Sequence, residues 1–281
     1  MTLQIVVPEV QSKKPLANGK VSPPTAFSQS NSRPDSRPDS QAGSQIDLLS
    51  DGNRLVAIAN KLATEHRHVA AGAELCAFSG SEKFLFVVID GWMFRNAILE
   101  DGRRQILDFI LPGDLIAGRR WNGAEVSQTV DAITDSVVAL IPLHAVSALV
   151  TEIPSVAITL LEASQSALYA SYENLVDTGR RTSIEAVAHF LIRIEKRAAE
   201  AIGRTDDGAV VFPLIQEYIG DAIGLTAVHV CRTLRKLKTA GAIEMGRGWL
   251  KITDPAALAE FAGISDESAF DTEYAVQKLA S

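Results

Sequence analysis

Residues 213–252 read PLIQEYIGDAIGLTAVHVCRTLRKLKTAGAIEMGRGWLKI and predict two short helices followed by a hairpin. Gly224 provides a tight turn, the Leu225 side chain is expected to pack into the core, and Thr226 is placed to cap the second helix. The inward-facing residues are Ile219, Ala222 and Ile223 in the first helix, and Val230, Leu234 and Leu237 in the second. Gly241 ends the second helix, and residues 246–248 form the hairpin tip. The order is that of a winged helix-turn-helix.

The second helix of this motif carries positive charge. Between residues 226 and 251 six cations accompany a single acid, Glu244, although the formal net charge of the chain is −7. Arginine pairs with guanine O6 and N7, while other cations and a helix N-terminus suit phosphates. The expected DNA-binding residues are Thr226, Ala227, Val228, His229, Cys231, Arg232, Arg235, Lys236 and Arg247, with Thr233 exposed beside them. Motif, charge and hairpin together favour DNA binding over a merely solvated helix.

A long helix is predicted between residues 154 and 182. Its seam has alternating spacings of 3 and 4, through Ile158, Leu161, Gln165, Leu168, Tyr172 and Leu175. This pattern is typical of a coiled coil in which Gln165 fixes the register. The opposite face is polar, with Glu162, Ser166, Glu173 and Asp177, and the seam is narrow, as in a self-pairing helix. We therefore favour a homodimer over a helix that packs only on its own domain.

Gly179 interrupts this helix and is the natural hinge of the chain. Thr182 and Glu185 then predict a capping box for the next helix. Its inward residues are Ile184, Val187, Ala188, Leu191 and Ile194. A second domain, residues 183–264, is expected to begin here.

Residues 46–153 show short apolar runs separated by turn dipeptides. Asp90-Gly91 and Asp101-Gly102 each lie between β-rich runs and predict two hairpins. A short helix is expected near residues 53–64, and a final run covers residues 126–141. The sequence predicts an antiparallel β-barrel or roll, so the fold class is α+β.

Composition excludes several classes of protein. Two cysteines, Cys76 and Cys231, and five histidines without metal-ligand spacing argue against a structural metal site. The sequence shows no paired carboxylates, no nucleophile elbow and no phosphate loop, so it does not predict an enzyme. No stretch has the length of a membrane span or signal peptide, so we expect a cytoplasmic protein.

The two ends of the chain are expected to be less ordered. Residues 1–45 contain six prolines and eight serines, which is typical of a disordered tail and is favoured over a docking motif. Residues 265–281 are either a docking helix or a frayed tail.

The whole pattern resembles the Crp/Fnr family of bacterial transcription regulators. The likeness covers residues 46–263 and is carried by DGRRQILDFILPGDLIAG (101–118), GLTAVHVCRTLRKLKTAGAI (224–243) and ITDPAALAEFAG (252–263). The resemblance implies a homodimer with a cyclic-nucleotide-binding-like sensor roll. It also implies binding to an inverted repeat with half-sites about one helical turn apart, and RNA polymerase as a further partner.

Three departures from the family pattern alter what we expect. Family members that bind cyclic nucleotides use a Gly-Glu pair and an Arg-Ser/Thr pair, whereas residues 117–118 here are Ala-Gly and Glu125 has no arginine beside it. We therefore do not expect cyclic AMP to be the ligand of the roll. Arg119 and Arg120 either bind another acidic ligand or are solvated loop charges, and we favour the second interpretation. Residues 1–45 also lack the cysteine cluster of the iron–sulfur members, so we expect no cofactor.

The third departure lies in the second helix of the motif. Ala227-Val228 replace an acidic base-reading residue of the best-known members, and Arg232 alone is retained. Val228 could contact a thymine methyl, and His229 could donate to a phosphate or a base, so we expect an altered target sequence. Cys231 is either a small filler, which we favour, or a thiol whose oxidation weakens DNA binding.

Two alternatives remain open at the level of function. A ligand, a redox change or a partner could shift the dimer between DNA-competent and incompetent arrangements, or protein abundance could set activity without any signal. The competing function is a cyclic-nucleotide-type binding module that regulates a partner protein. The charged helix and the wing favour the DNA-binding regulator.

Overall fold

The computed structural model describes residues 51–75, 84–117 and 128–264. The predicted disordered tail at residues 1–45, and residues 265–281, lie outside this part. The N-terminal half contains helix α1 (Asp51–Leu62) and strands β1 (Glu65–Val69), β2 (Phe84–Asp90), β3 (Met93–Ile98), β4 (Arg104–Ile110), β5 (Leu115–Ala117), β6 (Gln128–Ala132) and β7 (Ser136–Pro142).

These seven strands form the two antiparallel sheets of a roll. Their strand orders are β1-β7-β2-β5 and β4-β3-β6. One apolar cluster takes buried side chains from both sheets, including Phe86 and Leu140 from the first and Met93 and Ile110 from the second. Alternating apolar residues on facing strands bury a common core, and the predicted antiparallel roll is confirmed.

The two Asp-Gly pairs differ in what they do. Asp101-Gly102 closes the predicted β3–β4 hairpin, where the Leu99 N–H donates to the Arg103 carbonyl at 2.8 Å. The hairpin predicted at Asp90-Gly91 is wrong, because β2 pairs with β5 and β7 while β3 pairs with β4 and β6. At Gly91 the φ angle is 91°, and the chain passes from one sheet to the other. A Cβ there would collide with the Ser136 hydroxyl.

Two helices, α2 (Leu143–Glu152) and α3 (Ser155–Gly179), follow the roll. The long helix ends at Gly179, as predicted. The next helix, α4 (Ser183–Ala201), begins with the predicted capping box, in which the Thr182 N–H donates to Glu185 Oε2 at 2.7 Å. Three residues, 180–182, therefore join the long helix to the C-terminal domain.

One part of the polar face predicted for α3 is not solvated. Asp177 is 2% exposed and is surrounded by Arg181, His189 and Arg193. Glu173 is half-buried beside it, with Oε2 3.4 Å from His189 Nε2. The C-terminal end of this polar face is enclosed because α4 packs there and supplies His189 and Arg193.

The C-terminal domain is a winged helix. After α4 it contains β8 (Val210–Phe212), α5 (Gln216–Ile223), α6 (Ala227–Thr239), β9 (Ile243–Gly246), β10 (Gly248–Ile252) and α7 (Pro255–Phe261). The sheet order is β8-β10-β9, with β8 completing the wing on the side opposite β9. The predicted winged helix-turn-helix is confirmed, whereas β8 was not anticipated.

The roll and the winged-helix domain share one apolar core. Its buried members include Trp92, Phe94 and Phe109 from the roll, together with Phe190 and Ile219 from the winged-helix domain. The rings of Phe109 and Phe190 meet edge to face, with centroids 5.7 Å apart. The helix-turn-helix is therefore packed against the roll through its own first helix, α5, with α4 beside it.

Among the described residues, none of the helices combines the length and apolar character that crossing a bilayer requires. Within the same part of the chain, no group of three or more His, Cys, Asp or Glu side chains is arranged to hold a metal ion.

Candidate nucleic-acid interface

The helix-turn-helix positions α6 through a close approach at the turn. Gly224 ends α5 in the left-handed region with φ 71°, and the Leu225 N–H donates to the Gly220 carbonyl at 3.0 Å. At Gly220 a Cβ would collide with the Leu225 carbonyl oxygen. Glycine at this position lets the turn and the start of α6 lie directly against α5, so the two helices form one tightly packed unit.

The N-terminus of α6 is capped by a side chain that also contacts an expected DNA-binding residue. Thr226 Oγ1 accepts from the His229 N–H at 3.3 Å and lies 3.2 Å from His229 Nδ1. Both residues are exposed. The contact holds the imidazole over the first turn with Nε2 as its remaining polar atom, which is available to a DNA acceptor.

Most of the expected DNA-binding residues share the exposed face of α6. Exposed side chains are those of Thr226, Ala227, Val228, His229, Arg232, Arg235 and Lys236. Cys231 is half-buried. Thr233 is only 6% exposed, so its predicted exposure is wrong: it lies on the inner face between Val230 and Leu237.

The C-terminal half of this face is open and only slightly hollowed. Arg232, Arg235 and Lys236 line an open groove with Thr239 and Ala240. Three cations around a shallow groove provide a positive potential suited to a phosphate backbone.

The wing stands beside α6 and is fixed to it. Arg247 is exposed at the tip of the β9–β10 hairpin, between Gly246 and Gly248. Lys238 Nζ donates to the Met245 carbonyl at 3.0 Å, which ties the end of α6 to β9. Sequence reasoning treated Lys238 as one more charge on the helix and missed this contact, which only the fold reveals.

The predicted dimer seam is exposed along α3. Exposed fractions are 58% for Ile158, 59% for Leu161, 49% for Leu168, 54% for Tyr172 and 71% for Leu175. Gln165 is exposed as well. Tyr169 and Val176, which the sequence analysis did not single out, extend this apolar surface along one side. An exposed stripe of this kind marks an interaction surface.

The remaining predicted sites cannot be placed. Arg119, Arg120 and Glu125, on which the interpretation of the effector loop depends, lie outside the described residues, and so does Cys76.

Comparisons with known proteins agree with this architecture. Residues 185–261 match the Crp-like helix-turn-helix domain family, and residues 66–152 match the cyclic nucleotide-binding domain family. The nitrogen fixation regulation protein FixK of Bradyrhizobium diazoefficiens is 30% identical over 195 residues, which cover 69% of this chain and 81% of that protein. The transcriptional activator protein FnrL of Cereibacter sphaeroides is 31% identical over 201 residues, covering 70% and 80%.

Solved structures show the same arrangement of elements. The structure of FixK2 from Bradyrhizobium japonicum superposes with a TM-score of 0.60 at 25% identity, covering 70% of this chain and 96% of that chain. A CooA mutant from Carboxydothermus hydrogenoformans gives a TM-score of 0.57 at 17% identity, covering 73% and 90%, and supports the fold alone.

Proposed function

Because this chain belongs to the Crp/Fnr family of bacterial transcription regulators, we propose that it binds a specific inverted-repeat DNA site as a homodimer. The family consists of transcription regulators, and the chain is not an enzyme. The observation that carries the proposal is the exposed, positively charged face of α6, with Arg232 at a base-reading position.

Homodimerisation is supported by the exposed seam on α3. Large apolar side chains at heptad spacing would be desolvated by a second copy of the same helix, and Gln165 would favour one register. Two recognition helices related by this axis would read an inverted repeat.

The target sequence is proposed to differ from that of the best-known members. Val228 is 60% exposed and offers an apolar surface to a thymine methyl where an acidic residue would accept from a cytosine or adenine amino group. His229 would donate from Nε2 to a phosphate or a base.

We further propose that neither cyclic AMP nor an iron–sulfur cluster gates this protein. Residues 121–129, which include Glu125, contain no cation to compensate a cyclic phosphate, and residues 1–45 contain no cysteine. The protein would act in the cytoplasm. Contact with RNA polymerase is supported by relatives that are named transcriptional activators.

Selection of bound sequences from random duplex DNA tests the proposal, with wild type, Arg232→Ala and Arg103→Ala in parallel. Arg103 lies at the hairpin of the roll with its side chain 77% exposed, so it controls for loss of one positive charge. We expect one palindromic motif with wild type and Arg103→Ala, and its loss with Arg232→Ala. Absence of any salt-dependent DNA affinity would instead support a ligand-binding module that regulates a partner protein.

A further inference from the structure

The roll holds the first helix of the helix-turn-helix directly. Arg104, at the start of β4, donates from Nε to Asp221 Oδ2 on α5 at 2.8 Å, and from Nη2 to Glu217 Oε1 at 3.3 Å. The guanidinium also lies over the tilted pair of rings formed by Phe94 and Tyr218, 5.2 Å from the first centroid and 5.1 Å from the second, while the two centroids are 5.3 Å apart. We call these contacts of Arg104 the clamp.

The clamp joins two different domains at a site shielded from water. Arg104 and Asp221 side chains are 26% and 24% exposed, and Phe94 is 3% exposed. A guanidinium that lies near aromatic rings and is paired with a carboxylate is held in one geometry more firmly than an exposed ion pair. Next to it, Gln105 Nε2 donates to the carbonyl of Ala222 near the end of α5 at 3.1 Å.

A second attachment holds α4. Arg197 donates to Asp108 Oδ1 at 3.1 Å and to Asp114 Oδ2 at 2.7 Å, and also to the Phe109 carbonyl. Burial opposes its charge, but the two carboxylates outweigh burial and raise the pKa of Arg197. The winged-helix domain is thus linked to the roll at α4 and at α5, in addition to the covalent link at residues 180–182.

These attachments determine which motions remain open to α6. The link after Gly179 would by itself allow the winged-helix domain to rotate against the roll. Since α5 and α6 meet with no room for a Cβ at Gly220, a displacement of α5 is passed directly to α6. The orientation of the recognition helix therefore depends on where the roll holds α5.

We propose that Arg104 is a positioning residue for DNA recognition: through the clamp it sets the orientation, and hence the half-site spacing, at which the two recognition helices meet DNA. This inference rests on the proposed function. It adds a direct path between β4 of the sensor roll and the recognition motif that does not pass through the hinge. Arg104 lies in the roll, and within the described part of the chain the hydrogen bonds and ring contacts of its side chain are to α5 and to Phe94.

The test measures the affinity of Arg104→Met for a series of inverted repeats with unchanged half-sites. The half-sites are separated by the optimal distance, or by one base pair fewer or one base pair more. Arg103→Met is the matched control, because the neighbouring Arg103 is exposed and pairs only within its own turn, with Asp101. Asp221→Asn, alone and combined with Arg104→Met, completes a double-mutant cycle.

We expect wild type and Arg103→Met to prefer one separation, and Arg104→Met to lose roughly fivefold in affinity at that separation. The ratio of its affinities for the optimal and the altered separations should fall by about the same factor. The half-site sequence that it prefers and the salt dependence of its DNA affinity should stay unchanged. The double variant should resemble Arg104→Met. A variant that keeps the wild-type spacing preference would overturn the proposal, even if its stability has fallen.

A measurement without DNA separates this proposal from the proposed function. Spin labels at Ala70→Cys in the roll and Glu244→Cys on the wing, in a Cys76→Ser/Cys231→Ser background mixed with excess unlabelled protein, report one distance within a protomer. Both label positions are exposed. The distance distribution should broaden in Arg104→Met and stay narrow in Arg103→Met. Unchanged distributions would contradict positioning, whereas absence of specific DNA binding by wild type would contradict the proposed function alone.

Discussion

Replacing Asp177 by asparagine should destabilise the protein by about 3 kcal/mol at neutral pH. The carboxylate is fully enclosed; it accepts from Arg181 and from Arg193 at 2.7 Å, and it lies 3.1 Å from His189 Nδ1. Removing one partner of a buried ion pair costs about 3–5 kcal/mol, since the remaining charge is left uncompensated. The Arg181 and Arg193 side chains are each 22% exposed and recover some hydration, so we take the lower end of this range.

The same contacts fix the sign of the pH dependence. Burial by itself would raise the pKa of Asp177, but the hydrogen bond with His189 and the charges of Arg193 and Arg181 hold it below its ordinary value of 3.8. A carboxyl whose pKa is lowered on folding stabilises the native state above its unfolded pKa. This stabilisation disappears as the pH falls through the folded pKa. The difference between wild type and Asp177→Asn should thus be complete at about pH 7 and shrink below about pH 4.

Urea unfolding at a fixed protein concentration measures this difference, with fluorescence of the buried Trp92 as the signal. Glu173→Gln is the control: its side chain is 45% exposed and lies 3.5 Å from the Arg181 guanidinium, so it should cost less than about 1 kcal/mol. A loss for Asp177→Asn no larger than that of the control would refute the reasoning, and so would a loss that does not depend on pH.

Four further predictions concern single elements. Leu168→Glu should give monomers in sedimentation, because it places like charges in the seam, whereas Ser166→Glu on the outer face should not; dimers with both variants would contradict the seam. Gly220→Ala should lower stability by about 1–3 kcal/mol through the collision at the turn, while Gly179→Ala, with open space around it, should be neutral or stabilising in thermal unfolding. Thr226→Val should cost about 1 kcal/mol of stability and weaken DNA binding, and Thr226→Ser should retain both; equal behaviour of the two variants would exclude the cap. Peroxide should inhibit DNA binding of wild type and of Cys231→Ser equally, because we favour Cys231 as a filler, and stronger inhibition of wild type would instead give this thiol a redox role.

Sequence pattern predicted the roll, the long helix and the winged helix because each has a strong local signal. The failure at Asp90-Gly91 shows where that signal ends. Both Asp-Gly pairs are flanked by β-rich runs, but only the fold decides whether the flanking strands pair with each other. Gly91 serves a chain crossing between sheets, which a dipeptide cannot distinguish from a hairpin.

What was missed at Thr233 and Asp177 has a different origin. The polarity of Thr233 was taken to mean exposure, the burial of Asp177 was not predicted, and helical geometry was the better guide to both. Thr233 follows Val230 by three residues and precedes Leu237 by four, which places it on the inner face. Asp177 precedes Arg181 by four residues, a spacing that already indicated a paired carboxylate. Its partners His189 and Arg193 come from α4 and could not be inferred from local sequence.

The candidate DNA-binding face was easier to predict than the contacts that orient it. Arg232, Arg235 and Lys236 are close in sequence and share one side of a helix, so their grouping follows from periodicity. Arg104 and Asp221 are separated by more than a hundred residues, and nothing in either neighbourhood points to the other. Long-range pairs of this kind require the packed structure.

The apolar core shared by the roll and the winged-helix domain makes the two a single folding unit. Trp92, Phe94 and Phe109 bury their faces against the helices that support the recognition motif, so separating the domains would expose this surface to water on both sides. Loosening of the roll and release of the recognition helix then become thermodynamically linked events. Heat, denaturant or a destabilising substitution deep in the roll would act on DNA affinity in the same way as an effector, without any ligand having to bind.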